Sequence, residues 1–175
     1  VTGGRSSLID GQITSEIPNS DFYFINPSGI IFGPNAKLDM TGSFHVSTAD
    51  FLKLGETGRF DATFPEQSKF VMAPPSAFGF TSADPAPISI GSTNVIAEDN
   101  RAKNTILEVP EGEEISIIGG KIQMNNASLF AKSGRINLAS AASSGEVVLS
   151  EKGVDMNGFE EQNSVIINRS SPQII

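Results

Sequence analysis

DFYFINPSGIIFGPNAKLDMTGSFHVSTAD, residues 21–50, is the stretch whose reading decides the fold. Its apolar bursts are Phe22 to Ile25, Ile30 to Phe32, Leu38 with Met40, and Phe44 with Val46. Turn residues separate them at Asn26-Pro27-Ser28-Gly29, Gly33-Pro34-Asn35 and Thr41-Gly42. Such short runs of strand formers, cut by Gly, Pro and Asn, predict strands too brief for an ordinary sandwich. A chain that runs briefly, turns a corner and runs again follows the path of a parallel β-helix, with one short strand on each face of each coil.

Working outward, Ser7-Leu8-Ile9 and Gln12-Ile13 read as short strands around an Asp10-Gly11 turn. In Lys37-Leu38-Asp39-Met40 and Ser43-Phe44-His45-Val46-Ser47 the apolar residues alternate with polar ones, which sends the two sets to opposite faces. Phe51 to Leu54 and Arg59 to Ala62 read as two further strands around Gly55-Glu56-Thr57-Gly58. Between Pro65 and Pro87 lie five of the ten prolines, together with Phe70, Phe78 and Phe80. Proline cannot donate to a ladder, so this is a poor central strand, yet it is too aromatic for a solvated linker. Residues 65–105 are therefore expected to leave the regular coils, packing Phe78 and Phe80 back on the main body. Ile88-Ser89-Ile90 rejoins it, and residues 94–104 form a polar connection.

From Thr105 the rhythm is cleaner: ILEV, EEISIIGG, KIQM, SLFA, RINLAS, EVVLS. Lys37-Leu38-Asp39-Met40, Lys121-Ile122-Gln123-Met124 and Arg135-Ile136-Asn137-Leu138 share a cation followed by an apolar-polar-apolar triplet. AKLDMTGSFHVS aligns with GKIQMNNASLFAKS across a small gap, as weak internal repetition does in a solenoid. Coils of roughly 20 residues would give seven or eight turns. No segment carries the sustained 3.6-residue periodicity and caps of a helix.

The formal net charge of −8 leaves no basic stripe for phosphates, which disfavours nucleic acid and an anionic membrane surface. With no cysteine, disulfides, zinc-thiolate sites and cysteine nucleophiles are excluded. Such a chain also suits export in an unfolded state through an oxidising compartment, where a disulfide would block threading. No apolar run is long enough to span a bilayer as a helix, and no signal peptide is visible. The ends read as cut from a longer chain, so residues 1–175 are expected to be a single β-helix domain of a larger protein. A terminal coil without a cap would show unpaired backbone groups able to recruit another chain.

At Asn26-Pro27-Ser28-Gly29, Pro27 presets φ and Gly29 permits a positive one, so the motif reads first as a turn joining two strands. His45, the single histidine, takes the polar side of its strand and reads as exposed. It has no nucleophile-elbow sequence to serve, so a Ser-His-Asp hydrolase is disfavoured. Glu111, Glu113 and Glu114 read as a solvated acidic turn, and Asp39 and Asp61 as outward strand residues that converge only if coil registers agree. Polysaccharide-cleaving β-helices need carboxylates gathered on one face, for calcium or for acid-base work. No calcium-loop spacing is present, and Gly119-Gly120 is a corner with no Lys-Ser/Thr after it. No catalytic residue, metal site or cofactor is expected.

Residues 26–52, NPSGIIFGPNAKLDMTGSFHVSTADFL, closely resemble the secretion (haemagglutination activity) domain of filamentous haemagglutinin-like exoproteins, the passengers of two-partner secretion. VTGGRSSLIDGQI (1–13), APPSAFGF (73–80) and IIGGKIQMNNASLFAKSGRINLAS (117–140) extend the similarity in family order. The resemblance implies a right-handed parallel β-helix near the N-terminus of a large exported adhesin-like protein. It implies recognition by an outer-membrane β-barrel transporter, β-helix folding at the surface of a Gram-negative-type bacterium, and passage through periplasm and outer membrane. The family's hallmark turn reads Asn-Pro-Asn-Gly; here Ser28 stands third, another residue that bonds to nearby backbone. Asn26, Pro27, Ser28 and Gly29 are the candidate transporter-recognition motif. Other expected contacts are a host or neighbouring-cell surface and self-association through terminal coils. The alternatives are an adhesive or carbohydrate-binding surface module and, third, a polysaccharide lyase or hydrolase.

Overall fold

The computed structural model of the chain describes residues 4–91, 104–156 and 158–169. Its strands come in sets of three. The first set is β1 (Ser7–Ile9), β2 (Gln12–Thr14) and β3 (Phe22–Ile25). The second is β4 (Ile30–Phe32), β5 (Lys37–Asp39) and β6 (Phe44–Ser47). After β7 (Phe51–Leu54), β8 (Gly58–Asp61) and β9 (Pro75–Phe80), the series resumes with β10 (Ile88–Gly91), β11 (Thr105–Val109) and β12 (Glu114–Gly119). Then come β13 (Ile122–Asn125), β14 (Ala127–Ala131) and β15 (Arg135–Ser140), followed by β16 (Gly145–Ser150), β17 (Gly153–Asp155) and β18 (Val165–Asn168).

First members of the sets pair with one another, in the parallel order β1-β4-β10-β13-β18. Second members form the parallel pairs β2-β5 and β11-β14, with β5 lying beside β11. Third members form the parallel ladder β3-β6-β12-β15. The molecule is thus all-β, with parallel sheets that the chain visits in a fixed order. Because partners are in parallel register, like residues stack: Ile30, Ile88 and Ile122 form one inward column, and Phe24, Val46, Ile117 and Leu138 another. Ile30, Ile88, Ile117, Ile122 and Val46 are wholly buried in this core. Each such side chain contributes about 1.5–3 kcal/mol through burial.

Three expectations are corrected here. Among the described residues the recurring sets number four plus β18, not seven or eight turns, because two long segments leave the series. Those segments, β7–β9 and β16–β17, join in a five-stranded antiparallel sheet of order β17-β16-β9-β7-β8. The strands at 51–54 and 58–61 exist, but they belong to this flanking sheet and not to the parallel ladders. The Pro-rich region is not irregular throughout: Pro75–Phe80 is the middle strand, with Pro75 at its first position, where a missing N–H matters least. Phe78 and Phe80 are buried against the parallel ladders, as expected of them. Gly79 has no Cβ because the Phe51 ring occupies that space, with the Arg59 guanidinium 3.7 Å from the ring centre. Among the described residues the one helical turn is 3-10, Pro65–Gln67.

The sequence repeat also aligned strands that are not equivalent. Lys37–Asp39 lies in the second ladder, Ile122–Asn125 in the first and Arg135–Ser140 in the third. Alternation is common to every half-buried strand, so it marks strandedness without marking the face. The expected connection at 94–104 lies outside the described residues except for Asn104, as do residues 1–3 and 170–175.

Candidate functional site

The turn after β3 begins with Asn26, which is 1% exposed. Its Oδ1 accepts the Ser28 N–H at 2.9 Å, and the Gly29 N–H donates to the Asn26 carbonyl at 3.1 Å. An Asx turn is thereby nested in a β-turn. Gly29 has φ 106°, a backbone conformation that other residues seldom hold. Asn26 Nδ2 donates to the Arg5 carbonyl at 2.9 Å and to Ser7 Oγ at 2.8 Å, in the preceding set. On the other side the Ile30 N–H donates to the Pro87 carbonyl at 3.2 Å. The motif therefore joins segments from three successive levels. Asn26 and Gly29 are buried, whereas Pro27 and Ser28 are half-buried. Among the described residues, no hydrogen bond engages the Ser28 hydroxyl. Any partner reading this turn meets Pro27 and Ser28, while Asn26 faces inward.

The next corners are built alike. The Asp10 carboxylate accepts the Asn35 N–H at 2.8 Å and Asn35 Nδ2 at 3.0 Å. Thr48 Oγ1 donates to the Ala86 carbonyl at 2.7 Å and accepts the Gly120 N–H at 3.2 Å. Gly119-Gly120 is a corner, as expected, pressed so closely on the Pro85 and Ala86 carbonyls that no side chain fits at Gly120.

His45 was expected on an exposed face and is instead 6% exposed. It does point away from the inner core, but the flanking sheet covers that outer face. In register, Tyr23, His45, Ser116 and Asn137 form an outward column, beside a second of Ile25, Ser47, Ile118 and Ala139. The second column packs under Leu52, Phe78 and Val147 of the flanking sheet. The first stands at its lip, where Tyr23 and His45 stack with ring centres 4.5 Å apart. Burial lowers the imidazole pKa, with Asp21, Glu114 and Glu113 pulling the other way. Burial, then Asp21 and Glu114, push the Tyr23 hydroxyl up to about 12.

Asp61 is likewise buried, not outward. Desolvation would raise its pKa, but the N–H of Phe64 at 2.7 Å, the Arg59 guanidinium and the N–H of Thr63 at 3.1 Å outweigh it and lower it. Asp39, on β5, accepts Gln12 Nε2 at 2.7 Å, so Asp39 and Asp61 stand in different sheets and form no carboxylate pair. The acidic turn is not merely solvated. Glu111 pairs with Lys132 at 2.8 Å, Glu113 accepts the Ser43 hydroxyl at 2.7 Å, and Glu114 pairs with Arg135 at 2.7 Å. Among the described residues, no group of three or more His, Asp or Glu is placed to hold a metal ion. The Tyr23–His45 lip was not foreseen from the sequence; the signal was their equal place in two successive strands, two residues before Ile25 and Ser47.

The model of the TPS secretion domain family matches residues 1–173, and the chain belongs to that family of two-partner secretion passenger domains. The family is a non-enzymatic, transport-related one, whose members are exported with an outer-membrane transporter as the second partner. No curated protein and no solved structure matched the chain.

Proposed function

We propose that residues 1–175 form a single right-handed parallel β-helix domain of a larger adhesin-like exoprotein. Its task is to be recognised by the outer-membrane β-barrel transporter and to start β-helix folding at the cell surface. The observation that carries this reading is the family match over residues 1–173 on a chain that visits three parallel ladders in constant order. In such an arrangement each level buries its apolar residues against the one before, so stability accrues level by level. Folding outside the membrane then opposes backsliding. The Asn26-Pro27-Ser28-Gly29 turn serves two ends in this scheme: Asn26 and Gly29 shape it, while Pro27 and Ser28 face the transporter.

The test uses the full exoprotein co-expressed with its transporter. Deleting residues 21–50 should abolish appearance in the medium, and undiminished secretion would remove the export role. Pro27→Ala with Ser28→Lys should lower secretion while leaving the melting temperature of the purified domain within a few degrees. Secretion at the parental level with that double variant would take the transporter contact away from the turn, leaving it a structural element alone.

A further inference from the structure

Between the outer face of the β3-β6-β12-β15 ladder and the overhanging β16–β17 hairpin lies a cleft of about 550 Å³. His45 stands on its ladder side, and Leu149, Glu151 and Val154 stand on the hairpin side. The hairpin is seated on the column to which His45 belongs, in which Tyr23, His45, Ser116 and Asn137 follow one another in register. Gly153 of β17 presses on the last of these, so closely that an added Cβ would stand 3.0 Å from Asn137 Oδ1. His45 itself is shut in beneath. It is 6% exposed, its ring stacks on Tyr23, and among the described residues its buried Nδ1 has no hydrogen-bond partner.

A neutral imidazole can leave an acceptor bare at that place, but an imidazolium carries an N–H on both nitrogens. Its Nδ1–H would be a charged donor out of reach of water, with nothing to receive it, and that costs far more than a bare acceptor. The neighbouring ionisable groups are engaged elsewhere. Asp21 accepts the Ser43 N–H at 3.1 Å, Glu113 accepts the Ser43 hydroxyl at 2.7 Å, and Glu114 pairs with Arg135 at 2.7 Å. Glu151 belongs to the hairpin, and the Tyr23 hydroxyl, pushed up to about 12 by burial, stays neutral. Burial outweighs the pull of Asp21, Glu114 and Glu113, so the ring holds its proton less readily than a free histidine. With the hairpin moved aside, water reaches the ring and the imidazolium keeps the company of the same carboxylates.

We propose that a proton on His45 unseats the β16–β17 hairpin from the ladder, so that the domain uncovers its outer Tyr23-His45-Ser116-Asn137 column in mild acid. The open form takes up the proton near the ordinary histidine value of 6.5, and the closed form does so only at lower pH. The hairpin is therefore fully held above that value and is released as pH falls through the folded one. One proton can raise the open population by no more than about tenfold per pH unit. The inference does not depend on the export reading, because it concerns the folded domain alone.

The test follows hydrogen exchange in the whole purified domain at pH 7.5 and 5.0, expressed as protection factors so that the pH dependence of the chemical step cancels. From the ordinary histidine value down to pH 5.0, one proton sets a ceiling of about thirtyfold. Protection of β16–β17 should fall about tenfold in the parent while that of β4, β10 and β13 holds. In His45→Gln, which keeps every other ionisable group, it should not fall. The His45 ring resonances of the parent, which need no variant, should titrate with a midpoint below 6.5. Equal protection of β16–β17 at the two pH values, or an equal fall in His45→Gln, would overturn the proposal. So would a ring midpoint at or above the ordinary value. A fall shared by β4, β10 and β13 would show unfolding of the whole domain in place of hairpin release, and overturn it as well.

Discussion

The parallel ladders and the antiparallel sheet on their flank use strands of the same local pattern, yet they cohere differently. In the ladders Phe44 lies beside Ile115 and Phe22, so each apolar residue is held by similar residues above and below. In the flank Phe78 lies between Leu52 and Val147, and its face has one apolar layer to rest on, formed by Ile25, Ile118 and Ala139. The ladders can stabilise themselves by repetition. The flank is stable only while the ladder beneath it is in register, and it repays this by burying the outer face that holds His45. Cooperation between the two is therefore unequal.

The largest effects come from breaking either core. Phe44→Ala and Phe78→Ala remove wholly buried rings, and each should cost about 3–5 kcal/mol in urea unfolding. Hydrogen exchange separates them. Phe78→Ala should speed exchange in β7–β9 and β16–β17 while β6 and β12 stay protected, whereas Phe44→Ala should speed exchange in both regions. Equal acceleration everywhere in Phe78→Ala would show one cooperative unit and dissolve the distinction. Next comes Asp61→Ala, which leaves the Phe64 and Thr63 N–H groups and Arg59 without their acceptor. Its cost should be about 2–3 kcal/mol, confined to the flank, while Asp61→Asn keeps an acceptor for the two N–H groups and should cost about half as much.

The contrast also explains what could be read in the chain beforehand. Most of the strands were legible, because a run such as Phe22 to Ile25 bounded by Asn-Pro-Ser-Gly carries its own limits. The turn was legible too: Pro27 and Gly29 state their backbone demands locally. Pairing was not. Lys37-Leu38-Asp39-Met40 and Lys121-Ile122-Gln123-Met124 look alike yet stand in different ladders, since alternation fixes which face a residue takes and not which strand lies beside it. His45 was assigned the correct face and the wrong environment for the same reason. What covers that face comes from residues 51–80 and 145–155, far away in the sequence.

Smaller effects probe the seams. Asn26→Ala should cost about 1–3 kcal/mol, because the Ser28 N–H, the Arg5 carbonyl and Ser7 Oγ all lose a partner. Ser28→Ala should be nearly neutral in the same measurement, and an equal loss would mean the turn depends on the Ser28 hydroxyl. At the lip, the folded-state pKa of His45 lies below its ordinary 6.5, so the unfolded chain takes up the proton first. The stability this confers is whole above that value and drains as pH falls through the folded one, with a slope no steeper than about 1.4 kcal/mol per pH unit. Tyr23, Asp21, Glu113, Glu114 and Glu151 face the same cleft, so the comparison is with His45→Gln, which keeps them all. Urea midpoints at pH 7.5 and 5.5 should diverge more in the parent than in the variant. Identical divergence would mean that His45 does not carry the pH dependence.

The smallest effect is expected at Lys53 and Glu146, which meet at 2.7 Å across β9 on the outer side of the flanking sheet. Both side chains are more than a third exposed, so water screens the pair and its formation must order two flexible chains. Lys53→Ala should therefore cost no more than about 0.2–1 kcal/mol, and added salt should remove most of the difference. The pair nevertheless ties β7 to β16, strands that no backbone ladder joins directly. If the flank holds together mainly through the apolar layer under Phe78, Lys53→Ala will leave hydrogen exchange in β16–β17 unchanged. A marked opening of that hairpin alone would show that this exposed ion pair, and not burial, fastens the overhang above the cleft.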